Sequence, residues 1–318
     1  MAAVYRAIDE NLGLEVALKE NLFTTEEYAR QFRREAVILA NLRHPNLPRV
    51  TDHFVIEHQG QYLVMDYIEG EDLRQRMERQ GPLAEYDAII LGVALCDALI
   101  YMHSRKPQVL HRDIKPGNVK ITPHGQIYLV DFGLAKVVQG HQATTTGARA
   151  MTPGYSPPEQ YGTARTDHRT DIYSVGATLY SALTDVIPED GLARAMEQMT
   201  LTPLVKRNPK VTKRLAATIE KAMAVRPDDR FQSAEAMRNE LLNARTTTHR
   251  KLPLELTLDP APGDASRGIA DPGNEQPAPV RSNDSIVLQS VPISSTRGDE
   301  PGMVSSPNKR KRTKLRYL

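Results

Sequence analysis

His111-Arg112-Asp113-Ile114-Lys115-Pro116-Gly117-Asn118 is the stretch on which the reading of this chain turns, and Asp131-Phe132-Gly133 begins thirteen residues after Asn118. The first run brings a carboxylate, an ammonium and a carboxamide close together, and the second adds another carboxylate. Between them, Val119–Ile121 and Ile127–Val130 flank Pro123-His124-Gly125, the pattern of a hairpin. Working outward, Val4–Ile8 and Glu15–Lys19 read as short strands joined by the turn-rich residues 9–13. Thr24–Leu42 reads as a helix, with Thr24 or Thr25 as cap, Glu26 and Glu27 in the first turn, and His44-Pro45-Asn46 as its stop. Strands follow near Val50–Ile56 and Gln61–Tyr67. After Gly70 the periodicity is mostly helical, with long stretches at Ala84–Ser104, Thr170–Thr184 and Thr212–Ala224.

The two motifs, in this order and spacing, resemble the catalytic loop and metal-binding motif of protein kinases, and the wording around them looks like the bacterial Ser/Thr kinases of eukaryotic type. The resemblance runs from Val4 to about Leu242. It implies an α+β, two-lobed fold: a small antiparallel-sheet lobe over residues 1–68 and a larger, mainly helical lobe over 69–245, with ATP in the cleft. It also implies ATP- and Mg²⁺-dependent transfer of the γ-phosphate to Ser or Thr hydroxyls of proteins, with Mn²⁺ as an alternative ion.

The resemblance assigns roles residue by residue. Asp113 would orient the acceptor hydroxyl and take its proton, Lys115 would steady the γ-phosphate, and Asn118 and Asp131 would hold the metal, for which hard oxygen donors are suited. Phosphoryl transfer has a loose, charge-rich transition state, so such residues work by positioning and neutralising charge. Lys19, in Val16-Ala17-Leu18-Lys19, would grip the α- and β-phosphates, held by Glu35. Ala17 would roof the adenine, Val4 would line the nucleotide, Met65 would line the back of the site, and backbone groups of Asp66 and Ile68 would bind the adenine edge. Gly154-Tyr155-Ser156-Pro157-Pro158-Glu159 resembles the segment that closes the activation loop, with Arg230 as the partner of Glu159. Asp171 matches the residue that braces the catalytic loop, and Lys115 with Thr152 favours Ser/Thr over Tyr as acceptor. Arg112 points to control by phosphorylation at Thr144, Thr145 or Thr146, against the plainer reading of a polar loop. Phosphorylation of these threonines by a second copy would require self-association.

The chain departs from the family pattern at both ends. Met1-Ala2-Ala3-Val4-Tyr5-Arg6-Ala7 resembles only the end of the Gly-rich element, so the first strand and its glycines are not in the sequence as written. Either Met1 is internal to a longer protein, or the chain is a weak kinase or a pseudokinase acting as a scaffold. A small-molecule kinase is the remaining alternative, disfavoured by Thr152 and the 154–159 segment. From residue 246 to 318, Pro, Gly, Ser, Asp and Thr dominate, which predicts a disordered tail ending in the basic run Lys309–Arg316. The alternatives for that run are a juxtamembrane cluster, a weak contact for anionic lipid or nucleic acid, or a solvated terminus.

Charge follows the same division. The tail holds 11 basic and 8 acidic residues and the first 245 residues hold 30 and 31, so the net charge of +2 belongs to the tail, and no nucleic-acid-binding surface is expected. Cys96 is the only cysteine, which excludes an intrachain disulfide and suits a reducing cytoplasm. No apolar run approaches the length needed to cross a bilayer, and residues 1–10 lack the pattern of a secretory signal.

Overall fold

The computed structural model describes residues 2–21, 26–56, 60–131, 136–137, 151–161, 166–245 and 255–256. These fall into two compact units, one built from residues 1–41 and 49–67, the other from 42–48 and 68–264.

In the first unit, β1 (Ala2–Asp9) and β2 (Leu14–Asn21) form a hairpin. Its turn is set by the Asp9 carboxylate, which accepts N–H groups from Asn11 (3.0 Å) and Leu12 (3.3 Å), and by Gly13 at φ 67°. Then come α1 (Glu26–Ala40), β3 (Val50–Ile56) and β4 (Gly60–Asp66), giving an antiparallel sheet in the order β1-β2-β4-β3. The period of two sorts the side chains by face. Ala7, Leu18 and Tyr62 form an apolar cluster on one face with Tyr5, Val16, Phe54, Ile56 and Val64. There the Tyr5 and Tyr62 hydroxyls both donate to the Glu20 carboxylate at 2.9 Å, which pushes the Tyr62 phenol, already desolvated by burial, up to about 12. The other face carries Val4, Lys19, Ala17 and Met65, because Val4 lies opposite Lys19 and Ala17 opposite Met65. Helix α1 packs on that second face, with Phe32 against His53 at 5.5 Å.

The second unit differs from the sequence reading at its border with the first: it takes in residues 42–48 as well as Ile68, all of which the sequence reading places in the small lobe. The reason is local pairing. Asn46 accepts the Leu129 N–H at 2.8 Å and donates its side-chain amide to the Ile127 carbonyl at 2.8 Å, while the Arg43 N–H donates to the Tyr101 hydroxyl. The unit's elements are β5 (Glu71–Asp72), α2 (Leu73–Gln80), α3 (Glu85–His103), β6 (Val109–Leu110), β7 (Val119–Ile121), β8 (Ile127–Leu129) and β9 (Lys136–Val137), then α4 (His168–Thr184), α5 (Gly191–Ala195), α6 (Leu204–Arg207), α7 (Lys213–Ala222) and α8 (Ala234–Asn243). Strands β5, β7 and β8 form one small sheet, and β6 pairs with β9. Helix α2 starts on a reciprocal cap in which the Asp72 carboxylate takes the Gln75 N–H (2.8 Å) and Gln75 Oε1 takes the Asp72 N–H (2.9 Å).

Helices α3, α4 and α8 make the core. Gly92 lets them close, since a Cβ there would lie 2.8 Å from a Leu241 methyl and 2.9 Å from one of Leu179. Helix α3 corrects one expectation: its 19 residues are long and apolar enough to cross a membrane. In this fold its apolar side chains, Cys96 among them, are instead buried, and burial pushes the Cys96 thiol up, away from reactivity.

Candidate active site

The catalytic-loop stretch follows β6 and is held from below by α4. Asp171, in the first turn of α4, is fully buried. Its Oδ2 accepts the His111 N–H at 3.0 Å and its Oδ1 accepts the Arg112 N–H at 2.8 Å, while His103 Nε2 lies 2.9 Å from Oδ2. Burial alone would raise this carboxyl. The His103 hydrogen bond and charge, together with the backbone N–H groups, outweigh it and hold Asp171 below the ordinary carboxylate range. The brace has work to do, because Arg112 sits at φ 66°, a conformation costing a non-glycine residue about 1–3 kcal/mol. Asp131 is also left-handed, at φ 62°.

His111 is buried and neutral. Its Nδ1 accepts the Asp113 N–H at 3.4 Å and its Nε2 donates to the Val130 carbonyl at 3.2 Å, a pattern that the Nε2–H tautomer satisfies. Burial pulls its pKa down, against the opposing charges of Asp171, Asp113 and Asp131.

On this frame Asp113, Lys115, Asn118 and Thr152 come together. Asp113 Oδ2 receives Lys115 Nζ at 2.9 Å and Asn118 Nδ2 at 2.9 Å, and its Oδ1 receives the Thr152 hydroxyl at 3.0 Å. Lys115 Nζ also donates to Thr152 Oγ1 at 3.3 Å. Asn118 gives a second N–H to the Asp113 carbonyl at 2.7 Å, so its amide hydrogens are committed and its Oδ1 is left to accept. The Asn118 carbonyl takes the Val130 N–H at 2.9 Å, which ties the loop to the residue before Asp131.

The segment after Thr152 is pinned separately. Glu159 and Arg230 form a two-pronged pair at 2.7 and 2.9 Å, with the Arg230 side chain fully buried. The remaining guanidinium N–H groups donate to the carbonyls of Ala224 (2.8 Å), Val225 (2.9 Å) and Arg169 (3.1 Å), so all five donors are used. Gly154 at φ 82° makes the turn, and a Cβ there would meet Ile187 at 2.4 Å.

Of the residues expected around the nucleotide, Val4, Ala17, Lys19 and Met65 share one face of the first unit's sheet. Lys19 is only 5 % exposed, and burial at that level demands a partner for its charge. Glu35 falls within α1, which packs on the same face, but its side chain is not among those described. The Asp66 N–H is taken by the Arg49 carbonyl (2.9 Å) and its carboxylate by the Arg49 side chain (3.0 Å). Ile68 opens the second unit. Phe132, Gly133, Thr144, Thr145, Thr146 and the 257–318 part of the tail lie outside the described residues.

Sequence reasoning missed two contributors, His103 and Gln160. Gln160 Nε2 donates to the Arg112 carbonyl at 2.8 Å. Neither carries a cue in the linear sequence, because each is fixed by a partner far along the chain.

One unit is a sheet carrying a buried lysine, and the other is mainly helical and carries this loop. Residues 1–242 match the family model described as protein kinase domain, and the chain belongs to that family. Among curated proteins, it is 35 % identical over 252 residues to the serine/threonine-protein kinase PrkC of Bacillus subtilis, covering 77 % of this chain and 38 % of that protein. It is 34 % identical over 255 residues to the serine/threonine-protein kinase PknB of Mycolicibacterium smegmatis, covering 76 % of this chain and 40 % of the relative. With PknB of Mycobacterium tuberculosis the match is 32 % over 292 residues, 86 % of this chain and 46 % of the relative. The chain thus spans less than half the length of these relatives.

Proposed function

We propose that this chain is a Ser/Thr protein kinase that moves the γ-phosphate of ATP to hydroxyls of protein substrates. The observation that carries the reading is the convergence of Lys115, Asn118 and Thr152 on the Asp113 carboxylate. Three donors fix the orientation of Asp113, and an acceptor hydroxyl placed against it passes its proton to the carboxylate as the oxygen attacks phosphorus. Lys115 stands beside the same carboxylate, within reach of the charge that develops on the transferring group. Thr152 ties the acceptor side of the site to the segment that ends at Glu159.

Lys19, with Val4, Ala17 and Met65 on its face of the sheet, is the nucleotide-gripping group. The residues present fit a divalent ion. Asn118 Oδ1 and the Asp131 carboxylate are hard oxygen donors, and no group of three or more His, Cys, Asp or Glu among the described residues is arranged to hold an ion alone. Asn118 and Asp131 would hold such an ion loosely, as suits Mg²⁺ more than tightly caged ions, with Mn²⁺ as the alternative. When bound, it neutralises phosphate charge and aligns the γ-phosphate.

Control by phosphate on Thr144, Thr145 or Thr146, read by Arg112 and delivered by a second copy of the chain, extends the proposal, as does a cytoplasmic setting with the basic run 309–316 near anionic lipid. The scaffold alternative draws on nothing specific, because the catalytic set is present. The test is label transfer from γ-labelled ATP by residues 1–318, alone and with a basic protein substrate, beside Asp113→Asn. Label on Ser and Thr that vanishes in the variant is expected. ATP binding without any transfer would favour the scaffold reading.

A further inference from the structure

Arg112 is the one residue of the catalytic loop whose peptide groups are gripped on both sides by side chains from other elements. Its N–H is held by Asp171, as described, and its carbonyl accepts Gln160 Nε2 at 2.8 Å. Gln160 is 5 % exposed and sits next to Glu159, whose carboxylate is anchored on Arg230. We propose that Gln160 is a positioning residue for phosphoryl transfer: by donating to the Arg112 carbonyl it holds the left-handed turn that aims Asp113, and it couples that turn to the docked end of the activation segment.

The argument is geometric. A residue at φ 66° relaxes readily unless the peptides on both flanks are fixed. Asp171 fixes the amide that enters Arg112. The peptide that leaves it, the one whose rotation would swing Asp113, is fixed at its carbonyl end by Gln160 and at its N–H end only by the longer 3.4 Å contact with His111. The shorter bond is the stronger restraint. Because Gln160 and Glu159 are adjacent, undocking the segment from Arg230 withdraws the amide from Arg112. The catalytic loop therefore senses whether the activation segment is seated, through one hydrogen bond and independently of any phosphate on residues 144–146.

This inference rests on the kinase reading, and the experiment separates the two. Gln160→Met keeps the size and removes the donor. Gln160→Glu replaces the donor with a carboxylate that faces a carbonyl when ionised and can donate again when protonated. The charged groups around position 160 are the paired Glu159 and Arg230, the Arg112 side chain, and Asp190 bonded to Tyr161. In the full chain, kcat for Gln160→Met is expected to fall about ten-fold with KM for ATP changed by less than about two-fold. The activity of Gln160→Glu, as a ratio to wild type at each pH, is expected to recover as pH falls from 8 toward ~5. Wild-type kcat in folded Gln160→Met, or a flat ratio for Gln160→Glu, would overturn the inference. Should Gln160→Met not fold, the pH arm decides. If wild type transfers no phosphate, the kinase reading fails by itself, and amide hydrogen exchange at residues 111–113 takes over. Faster exchange there in Gln160→Met, with the β7–β8 hairpin unchanged, supports the positioning role, and unchanged exchange refutes it.

Discussion

Asp171, fully buried, and Glu159, partly buried, are acidic residues of the second unit, each bonded to a basic side chain, yet what they hold differs. Asp171 spends its oxygens on two backbone N–H groups of a strained turn, with His103 behind it. Glu159 spends its oxygens on a guanidinium whose other donors cap the carbonyls of Ala224, Val225 and Arg169. The first contact shapes the conformation of a few catalytic residues. The second ties together stretches far apart in the sequence, residues 159, 169 and 224–230, and so belongs to the packing of the whole unit. The comparison teaches that burial and pairing alone do not tell a catalytic support from a structural one; the identity of the groups held does.

The contrast can be broken at the structural end first. Arg230→Met leaves the partly buried Glu159 carboxylate without its charged partner, with the Thr170 hydroxyl still donating to it, and should cost about 3 kcal/mol, read as a shift in the denaturation midpoint of the second unit. If the variant is as stable as wild type, the distinction collapses. At the other end, Asp171→Asn keeps the size but exchanges one acceptor for a donor that faces N–H groups. The expected outcome is about a hundred-fold loss of kcat in the protein that remains folded, with nucleotide binding little changed.

The catalytic-loop side of the contrast should also respond to acid. Asp171 has a folded pKa below its ordinary 3.8, so its contribution to stability is complete above about pH 4 and is lost as pH falls through the folded value. His111 is lowered from 6.5 by burial; the unfolded chain takes up its proton first, and stability declines as pH drops below 6.5. A stability profile of nucleotide-free protein that stays flat from pH 7 to 5 would contradict the neutral, buried imidazole. The smallest effect marks the baseline: Arg74 and Glu78 form an exposed i,i+4 pair at 3.9 Å, and Arg74→Ala should change stability by less than about 0.5 kcal/mol.

Much of this was legible in the sequence because the relevant signals are local. Alternation placed β1 to β4 within two residues or so of their observed limits, and the register then carried Val4, Lys19, Ala17 and Met65 to one face. The crowded 111–118 run put Asp113, Lys115 and Asn118 within five residues of one another. What escaped was set by pairing across distance. His103 meets Asp171 across 68 residues, and Gln160 meets Arg112 across 48; neither has a periodic or spacing cue. Residues 42–48 look like the end of a helix and a loop, and only their bonds to Ile127, Leu129 and Tyr101 assign them to the second unit. No apolar run in the sequence signals a span, yet helix α3 passes on length and composition, and the buried packing that places it is a tertiary fact.

The most direct test measures rate and stability together, in single-turnover phosphate transfer by Asp171→Asn and Arg230→Met, each corrected for the folded fraction. The account predicts that folded Asp171→Asn is slow by about a hundred-fold, while Arg230→Met loses chiefly stability and keeps a rate within about ten-fold of wild type when folded. A folded Asp171→Asn that transfers phosphate at the wild-type rate would contradict it.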